Sequence, residues 1–399
     1  MLKENIKEVI KDQREWILRK DNFTTRDKQI KPMEGFAVVI SGIRRCGKST
    51  LLAQTLKKEK VFYYLNLEDP RLNNMQLEDL NKVTDIFNEL HGKNGVYFLD
   101  EIQNIESWEK YIRYLIDHKN KVILTGSNAS LLSKELGTRL TGRHLRKELF
   151  PFSYNEFLSF NNSKPSEESF QQYLYDGGFP EYLKTKDQTI MHELLNDVVL
   201  RDIAVRHGIR NTNTLKKMAT YLVSHVGKPF SSNSLKKMFE INSTQTIIEY
   251  ISFLEDSYII FTIPLFSYSY KKQQINPKKA YSIDNGFSYC NSITFSKDKG
   301  KMLENCVFLH LRRFYDEIFY FTNQGECDFL IKEKYTEAIQ VCYNLNEENY
   351  KRETEGLLEA MKELKLSHGT ILTFSQEDEI TIKNKKITVK PVWKWLTAN

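Results

Sequence analysis

Gly42 and Gly47 stand with four residues between them, and Lys48 and Ser49 follow at once, giving the spacing G-x-x-x-x-G-K-S. Two glycines at that spacing let the backbone of Ile43, Arg44, Arg45 and Cys46 curl with its N–H groups facing a polyphosphate. A helix starting at Ser49, with Thr50 in its first turn, adds a dipole that favours anions. Lys48 is then placed to reach the outer phosphates and the Ser49 hydroxyl to ligate magnesium. Some fifty residues on, Val96-Tyr97-Phe98-Leu99 runs into Asp100-Glu101, an apolar strand ending in two acids. In that position Asp100 holds the magnesium through water and Glu101 acts as general base on the attacking water. An acid pair after a strand is by itself more often a helix cap or a solvated turn; its place downstream of the phosphate loop favours chemistry. The cofactors implied are ATP and Mg2+.

The loop must be carried by a strand and a helix, and both are legible. Phe36-Ala37-Val38-Val39-Ile40 is a short buried strand, and a helix from Ser49 to Leu56 follows the loop. Val61 to Leu67 is another strand, so the acid-bearing strand is not the next one after the loop. A further strand, Lys121 to Thr125, ends in Gly126-Ser127-Asn128. This order, with a glutamate after the aspartate, resembles the additional-strand branch of P-loop ATPases to which AAA+ proteins belong. The resemblance implies a γ-phosphate sensor at Asn128 or Ser127; a hydrogen-bonding turn fits either residue equally.

The run Glu135-Leu136-Gly137-Thr138-Arg139-Leu140-Thr141-Gly142-Arg143, with Pro151-Phe152-Ser153-Tyr154-Asn155-Glu156-Phe157 after it, is similar to one in a large prokaryotic group of AAA+ ATPases with a C-terminal nuclease-like domain. That resemblance implies a homo-oligomer in which an arginine enters the neighbour's ATP site. The role falls on Arg143, with Arg139 second, and an ordinary surface arginine is the alternative for each. The Gly177-Gly178-Phe179-Pro180 turn resembles one in the group's helical lid and implies Pro180 as an adenine contact; a plain interhelical loop fits nearly as well.

Composition sets the outer bounds. At 399 residues, 40% hydrophobic and 28% charged, the chain is an ordinary globular sequence of several domains. No stretch approaches the roughly 18 uncharged apolar residues of a membrane span, and the start lacks a secretory signal, so a cytoplasmic address with no membrane partner is expected. The five cysteines are odd in number and scattered without a C-x-x-C pair, which suggests neither a zinc site nor a disulfide framework, and free thiols are expected. A formal net charge of +6 is diffuse at this length, so local clusters matter more.

One such cluster lies in a three-helix stretch: Thr212 to His225, Ser231 to Phe239 and Ser243 to Leu254, then a hairpin from Tyr258 to Ile283. This order reads as a winged helix-turn-helix. Ser243, Thr244 and Gln245 open its recognition helix, and Lys271, Lys272, Lys278 and Lys279 crowd its wing. DNA is the expected partner, through backbone rather than base contacts because that helix opens without an arginine. The bland alternative is a basic, solvated hairpin.

Last, Glu304, then Glu326-Cys327-Asp328, then Glu337-Ala338-Ile339-Gln340-Val341-Cys342 resembles the restriction-endonuclease-like pattern of an early Glu, an Asp and a Glu-x-Lys. Glu304 and Asp328 match, while Gln340 and Cys342 replace the third acid and the lysine, unless Lys332 or Lys334 fills that gap. The resemblance thus implies a degenerate nuclease site. The fold class expected is α/β: a P-loop AAA+ parallel sheet (1–155), a helical lid (156–210), a winged helix-turn-helix (211–290) and a restriction-endonuclease-like α/β domain (291–399). An ATP-hydrolysing protein acting on DNA is the first reading. A nucleotide-dependent interaction switch and an ATPase-regulated nuclease are the alternatives.

Overall fold

β-Branched and aromatic runs too short for helices, broken by glycine and polar turns, become the strands of a sheet buried on both faces. A computed structural model of the protein describes every residue except 22, 127–141, 293–297, 334–335 and 399. It divides into two units, Met1–Phe150 and Pro151–Asn399. Among the described residues no helix is long and apolar enough to cross a membrane.

The first unit opens with α1 (Lys3–Arg19), which buries Ile6, Val9, Ile10, Gln13 and Ile17 at helical spacing. Then come β1 (Ala37–Ser41), α2 (Lys48–Leu56), β2 (Phe62–Asn66), α3 (Asp79–His91), β3 (Val96–Asp100), α4 (Trp108–Asp117), β4 (Val122–Gly126) and β5 (His144–Glu148). The five strands are parallel in the order β2-β3-β4-β1-β5. β4 therefore lies between the strand leading to the phosphate loop and the strand that ends in the acids. All loops that leave the strands' C-terminal ends gather at one edge, where ligands of open α/β sheets bind. Val39, Leu65, Leu99 and Leu124 share one core with α1, α3 and α4.

The second unit begins with α5 (Tyr154–Asn161), α6 (Glu167–Asp176), α7 (Pro180–Thr185) and α8 (Thr189–Asp197), which runs on as a π-helical stretch over Val198–Val205. Next are α9 (Thr212–Ser224), β6 (Pro229–Phe230), α10 (Ser232–Met238), α11 (Thr244–Asp256), β7 (Ile260–Pro264), α12 (Tyr270–Ile275), β8 (Lys278–Ser282) and α13 (Asn285–Asn291). β6, β8 and β7 form a three-stranded antiparallel sheet. The hairpin expected from the sequence thus gains a third strand, and its tip folds into α12, with Ser269 accepting from the Lys272 N–H as cap.

The chain ends with α14 (Lys299–Arg312), β9 (Ile318–Thr322), β10 (Glu326–Lys332), β11 (Thr336–Val341), α15 (Glu347–Glu363), β12 (His368–Thr373), β13 (Asp378–Ile382), β14 (Lys385–Pro391) and α16 (Val392–Thr397). These strands make a mixed sheet in the order β13-β14-β12-β11-β10-β9.

Candidate nucleotide-binding site

Ser41 ends β1 and the chain turns at Gly42, where a Cβ would overlap the Leu149 carbonyl oxygen, so only glycine fits. Gly47 sits at φ 100°, left-handed backbone that side-chain-bearing residues rarely adopt, and it caps α2. Lys48 is buried, and its Nζ donates to the carbonyls of Gly42 (3.0 Å) and Ile43 (3.2 Å). The ammonium thus sits in the mouth of its own loop. Glu101 Oε1 lies 3.8 Å from it. Arg44 pairs with Glu68 at 3.4 Å, and Arg45 at φ 63° is exposed.

Opposite the loop, Asp100 closes β3 with 1% exposure. Thr125 Oγ1 donates to its Oδ1, Tyr64 donates to its Oδ2 at 3.3 Å, and Ser49 hydrogen-bonds the same carboxylate. Burial and the neighbouring Glu101 push the Asp100 carboxyl above the usual range, while Thr125, Ser49 and Lys48 oppose that rise. A residue held this way gains from a divalent cation. The Ser49 hydroxyl and Asp100 carboxylate are hard oxygen donors of the kind Mg2+ takes alongside waters and phosphate oxygens. Glu101 is fixed by its backbone, at φ 54° with its N–H on Thr125 Oγ1 (3.0 Å), and by Gln103, which donates to its Oε2. One hydroxyl, Thr125, therefore orients both acids.

Ser127, Asn128 and Arg139 lie outside the described residues. Thr125, just before them, is a contact that sequence reading missed, although it ends a strand already recognised. Arg143 stands before β5 and pairs with Asp117 at 2.7 Å. Its strand starts opposite Ala37, at the sheet edge away from the loop. In the second unit, Pro180 is the first residue of α7, and the glycines before it are held by Asp284, whose Oδ2 accepts from the Gly178 N–H at 2.6 Å.

Burial raises Asp284 to about 7, against three backbone N–H bonds that lower it. A folded pKa above the unfolded one means stability present at low pH and lost as pH rises through about 7. Unfolding midpoints from pH 5 to 8 are expected to fall for this reason, and Asp284→Asn is expected to flatten that part of the slope. An unchanged slope removes Asp284 as its source.

The basic wing needs correction. Lys271 and Lys272 are exposed on α12 and Lys278 is partly buried, as is Thr244, whose hydroxyl donates to Asn233; Ser243 and Gln245 are exposed. Lys279, however, has no exposure at all. Alternation along β8 turns it inward, where its Nζ lies 2.6 Å from Glu326, 3.0 Å from Asp328 and 3.3 Å from Glu304. It contacts no DNA phosphate from there. Burial alone would lower this ammonium, but Asp328 and Glu304 hold it well above an ordinary lysine.

The residues of the nuclease-like pattern meet around that ammonium. Glu304 also accepts from Tyr281 (2.7 Å) and pairs with Lys301 (2.6 Å), and Asp328 Oδ2 accepts from the Val341 N–H. Gln340 accepts the Asp328 N–H on its oxygen and donates its amide to Glu353, so both ends of its side chain are already engaged within the protein. Cys342 is buried, its thiol pushed up to about 12. Lys332 lies exposed over the Tyr268 ring, and Lys334 is outside the described residues. The cation among the acids is Lys279, from an element the pattern does not include. Lys279→Ala leaves the buried Asp328 carboxylate without its ion pair and Glu304 with Lys301 alone, and is expected to cost about 3–5 kcal/mol in denaturant unfolding. A loss below about 1 kcal/mol would show that the cluster relaxes without it.

A family model described as an AAA domain matches residues 34–158, and a domain of unknown function (DUF8612) matches 167–296. An uncharacterized protein of Methanocaldococcus jannaschii, MJ1544, is 37% identical over 97% of this chain and 94% of its own length. The chain belongs to that protein's family. An uncharacterized Haemophilus influenzae protein is 30% identical over 86% of this chain and 90% of its own. A solved DNA polymerase III gamma-subunit-related protein of Thermotoga maritima matches 62% of this chain and 99% of its own at 13% identity, with a TM-score of 0.25, too low to bear on the fold. The AAA match and the parallel sheet around Lys48 and Asp100 make this family member a P-loop protein of AAA type, and its first unit a nucleotide-binding one.

Proposed function

We propose that the chain hydrolyses ATP, assembles as a homo-oligomer through shared ATP sites, and couples turnover to DNA. The convergence of Lys48, Ser49, Asp100 and Glu101 at one sheet edge, with Thr125 bridging the acids, carries the first part. Lys48 leaves the Gly42 and Ile43 carbonyls for the outer phosphates, and loop N–H groups take the inner ones. Ser49 and, through water, Asp100 would hold Mg2+, which would supply charge neutralisation on the phosphates. Glu101 orients and deprotonates the attacking water, its backbone already fixed by Thr125.

The DNA part rests on the helix and strand order from α9 to β8, which we read as a winged helix-turn-helix, and on exposed Lys271 and Lys272 beside exposed Tyr268 and Tyr270. A solvated, basic hairpin accounts for the lysines alone but not for two exposed aromatic rings beside them. The last sheet with α14 reads as nuclease-like in order, with its acids occupied by lysines rather than open to metal.

The experiment is ATP turnover with and without duplex and single-stranded DNA, with particle size measured alongside. Turnover stimulated by DNA in an oligomer is the expected result. Slow turnover indifferent to DNA would favour a nucleotide switch, and metal-dependent cleavage lost in Asp328→Ala would favour a nuclease.

A further inference from the structure

Arg26 lies in the segment between α1 and β1, outside any motif, yet it is 2% exposed. Its Nη1 donates to the Cys46 carbonyl at 2.8 Å and its Nη2 to the Phe150 carbonyl at 2.6 Å. Gln54, on the helix after the loop, accepts from the Arg26 N–H at 3.4 Å and donates to the Thr24 carbonyl at 2.8 Å, so it pins the backbone that carries the guanidinium.

The consequence follows from peptide geometry. In a planar trans unit the C=O and the next N–H point in opposite directions. The Cys46 carbonyl is drawn toward Arg26, so the Gly47 N–H of the same unit points away from it. Gly47, at φ 100°, has the conformational freedom to be set either way, and the next residue is Lys48. A hydrogen bond from a buried, permanently charged guanidinium is stronger than one between neutral groups, and a fork with two carbonyls fixes direction as well as distance.

From this geometry we infer that Arg26 is a positioning residue for the phosphate loop: it fixes the Cys46–Gly47 peptide so that the Gly47 N–H is presented to nucleotide phosphate before nucleotide arrives. The inference rests on the nucleotide reading of the loop and extends it to a residue twenty positions upstream. Arg26 touches no reacting atom. Its effect is on binding of the phosphates, with the ribose and base untouched.

The test is the affinity of wild type, Arg26→Ala and Arg26→Lys for adenosine, ADP and ATP, each read as the ligand-induced rise in unfolding midpoint over that variant's own ligand-free value. A variant of lowered stability is then still informative. Losing a charge-assisted bond of this kind corresponds to about a 10- to 100-fold loss in affinity. Arg26→Ala is expected to lose that much for ADP and ATP and nothing for adenosine, with Arg26→Lys between the two. In steady state its KM for ATP rises while kcat changes by less than about threefold. ADP binding by Arg26→Ala equal to wild type overturns the inference, as does an equal loss for adenosine, which marks a merely structural role. Failure of wild type itself to bind ADP would instead sink the nucleotide reading.

Discussion

Glu101→Gln is expected to bind ATP as tightly as wild type and to hydrolyse it about 100- to 10,000-fold more slowly, the usual cost of losing a general base. The substitution keeps the side chain's shape, and its amide oxygen still accepts from Gln103. The backbone that aims it is untouched: φ stays near 54° because the N–H remains on Thr125 Oγ1. What changes is the charge and, with it, the basicity. Lys48→Ala should behave differently, since Lys48 serves the phosphates and its loss weakens binding itself. Fluorescent-nucleotide titration with single-turnover hydrolysis separates the two. Near-normal turnover in Glu101→Gln would take that residue out of the mechanism.

How far the site was legible depends on the range over which each residue is held. Gly42 to Ser49 is local: glycines, lysine and serine act within one turn of chain, so their spacing is the geometry. Asp100 and Glu101 are local to a strand end, and a parallel strand order brings them to the loop. Thr125 was missed because only the pairing of β4 beside β3 shows which hydroxyl meets the acids. Arg26 had no signal, since a lone arginine between elements gains meaning only when the chain folds its carbonyl partners around it. Lys279 misled for a related reason. Four lysines close in sequence read as one patch, but the first two lie on α12 and the others on β8, and strand alternation sends Lys278 and Lys279 to opposite faces. That one face of β8 packs against Glu304 and Asp328 depends on residues 25 and 49 positions away.

Arg143→Ala is expected to lower turnover by about 1,000-fold or more if the arginine stabilises charge on the transferring phosphoryl group of a neighbour, the usual scale for such a finger. The fold restricts how it can act. β5 begins beside Ala37 and the phosphate loop leaves β1 after Ser41, so Arg143 stands a full strand, roughly 15 Å at ~3.3 Å per residue, from its own site. A single arginine side chain does not span that. Service to the same chain's ATP is excluded by distance, which leaves service to another chain's ATP or an ordinary surface arginine. Its ion pair with Asp117 is no obstacle, because both side chains are well exposed and such pairs contribute only about 0–1 kcal/mol. The discriminating experiment mixes Arg143→Ala with Glu101→Gln. Each variant alone is nearly inactive, but a hybrid interface joins an intact acid pair from the first to an intact arginine from the second, and activity is expected to return in proportion to such interfaces. If light scattering shows mixed assemblies and no activity returns, Arg143 is a surface arginine and each ATP site is complete within one chain.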